Sequence, residues 1–85
     1  MSERERQAVC RALVELLRAE RLRRKWSMRR LAAGAGLTQA MISLLENNLR
    51  NPTLDTLLRI TSVLELDLGR LILKATASAA QEKRK

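Results

Sequence analysis

The stretch Ser27–Asn48, SMRRLAAGAGLTQAMISLLENN, decides the fold. Ser27 is a good N-cap for a short helix, Met28–Ala35, whose inward positions are Leu31, Ala32 and Ala35. Gly36 stops that helix, being free to take the positive φ that ends many helices. Only Gly36 and Leu37 then precede Thr38, which caps a second helix, Gln39 to about Asn47. Two short helices joined by so tight a turn cannot lie antiparallel and must cross steeply. The second helix has an apolar face in Ile42 and Leu45, yet Thr38, Gln39 and Ala40 suit a face left uncovered.

Working outward, Ser2 to Lys25 reads as a long first helix. Val9, Leu13 and Leu17 form one stripe with Leu16 beside it. Ser2 can cap it, Glu3 and Glu5 favour its positive end, and Arg21, Arg23, Arg24 and Lys25 favour its negative end. Downstream, Asn47 to Asn51 is a polar loop, NNLRN. Pro52 and Thr53 open a fourth helix to about Leu64, with Leu54, Leu57, Leu58, Thr61 and Leu64 expected inward. Asp67 can cap a fifth helix containing Leu68, Leu71, Ile72 and Leu73, and the tail from about Ala77 is expected to fray. The 85 residues contain no internal repeat and are expected to form one domain.

Composition narrows the partner. Trp26 is the lone aromatic, so the core must come mainly from Leu, Ile, Val and Ala, which favours an all-α fold. The net charge is +8, and Arg21–Leu64, with eight basic and two acidic residues, carries +6 of it. A small domain this basic usually meets a polyanion, most often nucleic acid. The bland alternative is a solvated basic face that only aids solubility. Cys10 is alone and there is no His, so neither an intrachain disulfide nor a Cys/His metal site is expected. No cofactor is implied. A polar N-terminus and the absence of any apolar run near the ~20 residues of a membrane span point to the cytoplasm.

The segment RLRRKWSMRRLAAGAGLTQAMISLLENNLRNPTLDTLLRITSVLEL, Arg21–Leu66, resembles the five-helix DNA-binding domain of phage repressors and Cro proteins, the XRE-like helix-turn-helix family. The resemblance runs from about Leu17 to Ile72. Ala32, Gly36, Ile42 and Leu45 occupy the four diagnostic positions of the motif: small where the helices touch, free at the turn, apolar where the second helix is pinned. It implies a compact five-helix, repressor-like domain whose second and third helices form the motif. It also implies a homodimer on double-stranded DNA.

The resemblance further implies roles for named residues. Gln39, Ala40, Ser43 and Leu44 lie on the outward face of the recognition helix, which in the family enters the major groove. Gln39 suits an adenine edge, Ser43 either donor or acceptor, and Ala40 and Leu44 a thymine methyl. Leu44 can instead pack against a loop or a partner chain. Phosphate contacts are expected from Ser27, Thr38, Asn47, Asn48 and Arg50. Arg29 and Arg30 either add to them or face solvent, and Met28 stands where many relatives carry a bracing Gln. Arg21 and Glu46 fall where relatives form a partly buried ion pair. Leu66, Leu68, Leu71, Ile72 and Leu73 are the first candidates for a dimer interface, with Val9, Cys10 and Val14 second; both sets can equally belong to the monomer core.

A DNA-binding transcriptional regulator is the main reading, of the phage-repressor, restriction–modification controller or antitoxin type. A protein-interaction adaptor that keeps the fold without binding DNA is the rival, separable by alanine substitution of Gln39 and Arg50. Membrane-surface attachment through the first helix is disfavoured because its apolar stripe is needed inside. An enzyme is disfavoured too. The chain has no nucleophile–base pair and no phosphate-cradling Gly-rich loop, and Cys10, though on an Arg-rich helix, fits a small packing residue.

Overall fold

Ser2 opens the first helix, its hydroxyl accepting the Glu5 N–H at 3.1 Å, and Glu3 and Glu5 sit in the first turn where the helix dipole favours acids. The computed structural model describes residues 1–83 and places five helices in chain order. These are α1 (Glu3–Arg23), α2 (Met28–Ala35), α3 (Gln39–Glu46), α4 (Leu54–Val63) and α5 (Leu68–Lys83). Each start is capped by a side chain. Ser27 accepts from Arg30 N–H, Thr38 from Met41, Thr53 from Thr56 and Asp67 from Arg70, at 3.0 to 3.1 Å. The caps expected at Ser2, Ser27, Thr38 and Asp67 are all present.

Four helix ends share one device. After α1, α2, α3 and α4 the chain turns left-handed at Lys25, Gly36, Asn48 and Glu65, with φ of 58°, 70°, 58° and 54°. The next N–H then reaches back five residues: Trp26 to Arg21, Leu37 to Ala32, Leu49 to Leu44 and Leu66 to Thr61, each at 2.9 to 3.0 Å. This is the Schellman motif, which satisfies carbonyls that a helix end leaves open. Trp26, Leu37 and Leu66 then pack against the core, completing the apolar contact typical of the motif. Leu49 does not; it stays 73% exposed.

The core gathers Leu13 and Leu17 of α1, Leu31, Ala32 and Ala35 of α2, Ile42 and Leu45 of α3, Leu57 and Ile60 of α4, Leu64, and Leu71 and Ala75 of α5. Leu31, Ile42 and Leu64 are fully enclosed, each contributing about 1.5–3 kcal/mol by burial. α1 packs most extensively on α5, and α2 on both α3 and α4. The groove between α1 and α5 is lined by Met1–Arg11 side chains on one wall and Thr76, Ala79 and Ala80 on the other, so the two helices run antiparallel.

Three expectations change. α4 turns Thr56, Leu57, Ile60 and Thr61 inward, whereas Leu54 and Leu58 are 64% and 49% exposed. Leu57, Thr61 and Leu64 face inward as expected, while packing on α2 adds Thr56 and Ile60 and leaves Leu54 and Leu58 outside. The tail does not fray at Ala77. α5 continues to Lys83 because Leu71, Ala75 and Ala79 make a stripe of falling size that buries against the antiparallel α1. Finally, Leu71 belongs to the core and cannot face a partner, and Leu66 and Leu68 are half-buried against the same core. Of the first dimer set, only Ile72 and Leu73 are exposed. In the second set Val14 is buried and Val9 is half-buried against the core. No helix among the described residues is long and apolar enough to cross a membrane.

Candidate nucleic-acid interface

The turn between α2 and α3 is fixed from both sides. Gly36 takes φ 70°, ψ 33°, and its N–H and that of Leu37 return to the carbonyls of Ala33 and Ala32. Arg59 of α4 leans on this turn: its Nη1 donates to the Ala35 carbonyl at 3.5 Å while its Nε is held by Asp55 at 2.8 Å. Ala32 is buried where the two helices meet, and Ile42 and Leu45 pin α3 to the core. An eight-residue helix pinned along one side presents the other.

That other side begins at Thr38, Gln39 and Ala40, all exposed. Ser43 and Leu44, one turn further on, are half-buried. Ser43 is already engaged, its carbonyl accepting Asn47 Nδ2 at 2.8 Å and its hydroxyl the same amide at 3.4 Å. The Leu44 carbonyl closes the helix end by accepting the Leu49 N–H. Gln39 is therefore the long polar side chain on this face with its hydrogen-bonding capacity uncommitted among the described residues.

Around this helix lie the residues expected at phosphates. Ser27, Arg29, Thr38, Asn47, Asn48 and Arg50 are all exposed. Ser27 and Thr38 spend their hydroxyls on capping, so as contacts they offer an O–H donor rather than a free acceptor. Arg29 and Arg50 have no partner among the described residues.

Arg21 and Glu46 brace the assembly from behind. Arg21 Nε and Nη2 donate to the two carboxylate oxygens of Glu46, and Nη1 donates to the Trp26 carbonyl at 2.7 Å. Arg18 Nε stands 3.7 Å from the same carboxylate. Glu46 pushes the Arg21 pKa further above its usual value, so the guanidinium stays charged under all ordinary conditions. The pair ties α1 and the loop before α2 to the last residue of α3.

The arginines at the end of α1 were expected to favour the helix dipole, but their pairing with Glu20 was missed. Glu20 receives Arg23 and Arg24, which hold its carboxyl down to about 2. Arg24 also donates to the Leu64 carbonyl at the end of α4. The i, i+4 spacing of Glu20 and Arg24 was the available signal, but nothing in the sequence brings Leu64 to it.

A helix-turn-helix family profile matches residues 17–71, from the middle of α1 into the first turn of α5. Comparison with curated proteins and with solved structures gives no match. The profile covers the capped α2–α3 pair, the glycine turn and the ion pair behind it. The chain belongs to the XRE-type helix-turn-helix family, a family of DNA-binding transcription regulators rather than enzymes.

Proposed function

We propose that the chain is a sequence-specific regulator that binds duplex DNA as a homodimer on a pseudo-palindromic operator, with α3 in the major groove of each half-site. The observation that carries this reading is the division of α3. Ile42 and Leu45 are spent on the core, while Gln39 and Ala40 stand exposed between the Ser27 and Thr38 caps and the Asn47–Arg50 loop. Gln39, Ala40, Ser43 and Leu44 then meet base edges, Gln39 supplying the directional hydrogen bonds. Ser27, Arg29, Thr38, Asn47, Asn48 and Arg50 meet phosphates and set the register.

Two-fold pairing places half-sites about one helical turn, ~34 Å, apart. Leu54 and Leu58, one turn apart on α4, and Ile72 and Leu73 on α5 are exposed apolar side chains that a second copy can cover. Leu54 and Leu58 take the place of the buried Leu71 in that role. The protein acts in the cytoplasm of a bacterial or phage-type system, on the nucleoid when bound. Its type is a phage repressor, a restriction–modification controller or an antitoxin, blocking polymerase or recruiting it according to operator position.

Selection from a random duplex library tests this. Enrichment of a pseudo-palindrome with half-sites one turn apart supports it, and a steep loss of affinity with salt then counts the phosphates met. Recovery of no preferred sequence, with unchanged weak binding after Gln39→Ala and Arg50→Ala, would instead mean that the outer face of α3 reads a protein.

A further inference from the structure

Trp26 carries two guanidiniums against its ring. Arg30 Cζ lies 4.3 Å from the indole centroid and Arg24 Cζ 5.3 Å from it, both within the ~6 Å reach of cation–π attraction. The two arginines differ in what else they touch. Arg24 is anchored, with Nε on Glu20 at 2.7 Å and Nη2 on the Leu64 carbonyl. It therefore ties the indole to α1 and to the end of α4. Trp26 itself packs against the core.

Arg30 is the reverse case. Among the described residues its guanidinium has the indole alone; its backbone N–H goes to Ser27 Oγ. All its side-chain N–H donors are thus unspent and the residue is exposed. Helical side chains lean toward the N-terminus of their helix. The stack therefore folds Arg30 back over the residue that precedes the Ser27 cap, instead of leaving it to sweep through solvent. A planar guanidinium held at one face by a fixed ring, with its edge donors open, suits an oxygen-rich anion.

We propose that Trp26 is a positioning residue whose indole, fixed by Arg24, holds Arg30 at the Ser27 end of α2 to donate to a DNA phosphate. This rests on the interface reading above, in which that end of α2 meets the backbone. The contact adds affinity and register without reading bases. It lies off the recognition helix, so it operates on any duplex.

A short mixed-sequence duplex is the probe, titrated against salt with the full chain, alongside thermal unfolding of each variant. Arg30→Ala lowers the log–log salt slope by about 0.9 per bound protomer, the value for one phosphate. Trp26→Leu lowers it by most of the same amount, and Trp26→Leu with Arg30→Ala lowers it no further. Trp26→Phe, which keeps an aromatic face, restores the slope. A purely structural stack would shift unfolding and leave the slope unmoved, and that result overturns the proposal.

Arg50→Ala is the control for the underlying reading. If it lowers the slope while Arg30→Ala does not, the interface stands and the Trp26 proposal falls. If neither does, the interface reading fails with it. Should Trp26→Leu not fold, the lone tryptophan supplies an independent readout in the wild type. Duplex binding changes its emission, and Arg30→Ala abolishes the change. Emission that responds identically in both overturns the assignment.

Discussion

Arg21 and Glu46 lie 25 residues apart in the chain and meet through two hydrogen bonds of 2.8 and 2.7 Å, with 7% of either side chain exposed. The pair is complete, since the remaining Arg21 nitrogen is taken up by the Trp26 carbonyl. A pair this enclosed is costly to break because the survivor keeps its charge and loses its partner. Glu46→Ala is expected to destabilise the fold by about 3–5 kcal/mol in chemical denaturation. A loss below ~1 kcal/mol would put the pair with exposed salt bridges, which contribute little.

Gly36→Ala tests the turn of the motif. At φ 70° an L side chain is strained by about 1–2 kcal/mol, and its Cβ would stand 2.9 Å from Arg59 Nη1. Arg59 must then give up the Ala35 carbonyl. A lowered Tm is expected, together with weaker DNA binding beyond what the lost stability explains, because the turn sets how α3 leaves α2.

The other three left-handed residues predict the opposite sign. Lys25→Gly and Glu65→Gly each relieve strain of about 1–2 kcal/mol, against an entropy cost for glycine of about 0.5–1 kcal/mol. A gain of roughly 0.5–1 kcal/mol at each site is expected in equilibrium unfolding. Asn48→Gly gains least, since Asn tolerates this conformation. Equal gains at all three would contradict the strain explanation.

Glu20 predicts a pH dependence. Hydrogen bonds from Arg23 and Arg24 lower its pKa from 4.5 to about 2. The unfolded chain therefore takes up this proton first as pH falls. The stabilisation is fully present above 4.5 and is lost on acidification toward 2. The Tm gap between wild type and Glu20→Gln should be open at neutral pH and close across that window. A gap unchanged down to the acid end would show that the carboxylate charge is not its source.

The α2–α3 pair was legible almost residue by residue, because caps, a glycine stop and small inward residues are all local signals. Ser27, Gly36, Thr38, Ile42 and Leu45 each act within a few residues of themselves. What escaped reading depends on distant partners. Leu54 and Leu58 look as buriable as Leu57, and only docking on α2 decides between them. Ala75 and Ala79 look like a weak tail until α1 lies across them. Trp26 carried no role in the sequence beyond being the lone aromatic, because neither arginine on its ring is implied by hydrophobic periodicity. The candidate site was visible as a set of exposed positions. Its state of engagement, with Ser43 tied to Asn47 and Gln39 uncommitted, was not.

The antiparallel seating of α1 on α5 has a consequence for the order of folding. Val9 and Ala79 line one groove, so α1 meets its main partner only after α2, α3 and α4 have been made. Contacts among α2, α3 and α4 are local by comparison and close short loops, whereas the α1–α5 pairing spans most of the chain and carries the larger closure entropy. The central helices should therefore form the folding nucleus, and the outer pair should zip last. On that order, enlarging Ala79 would mainly hasten unfolding and leave the refolding rate nearly unchanged.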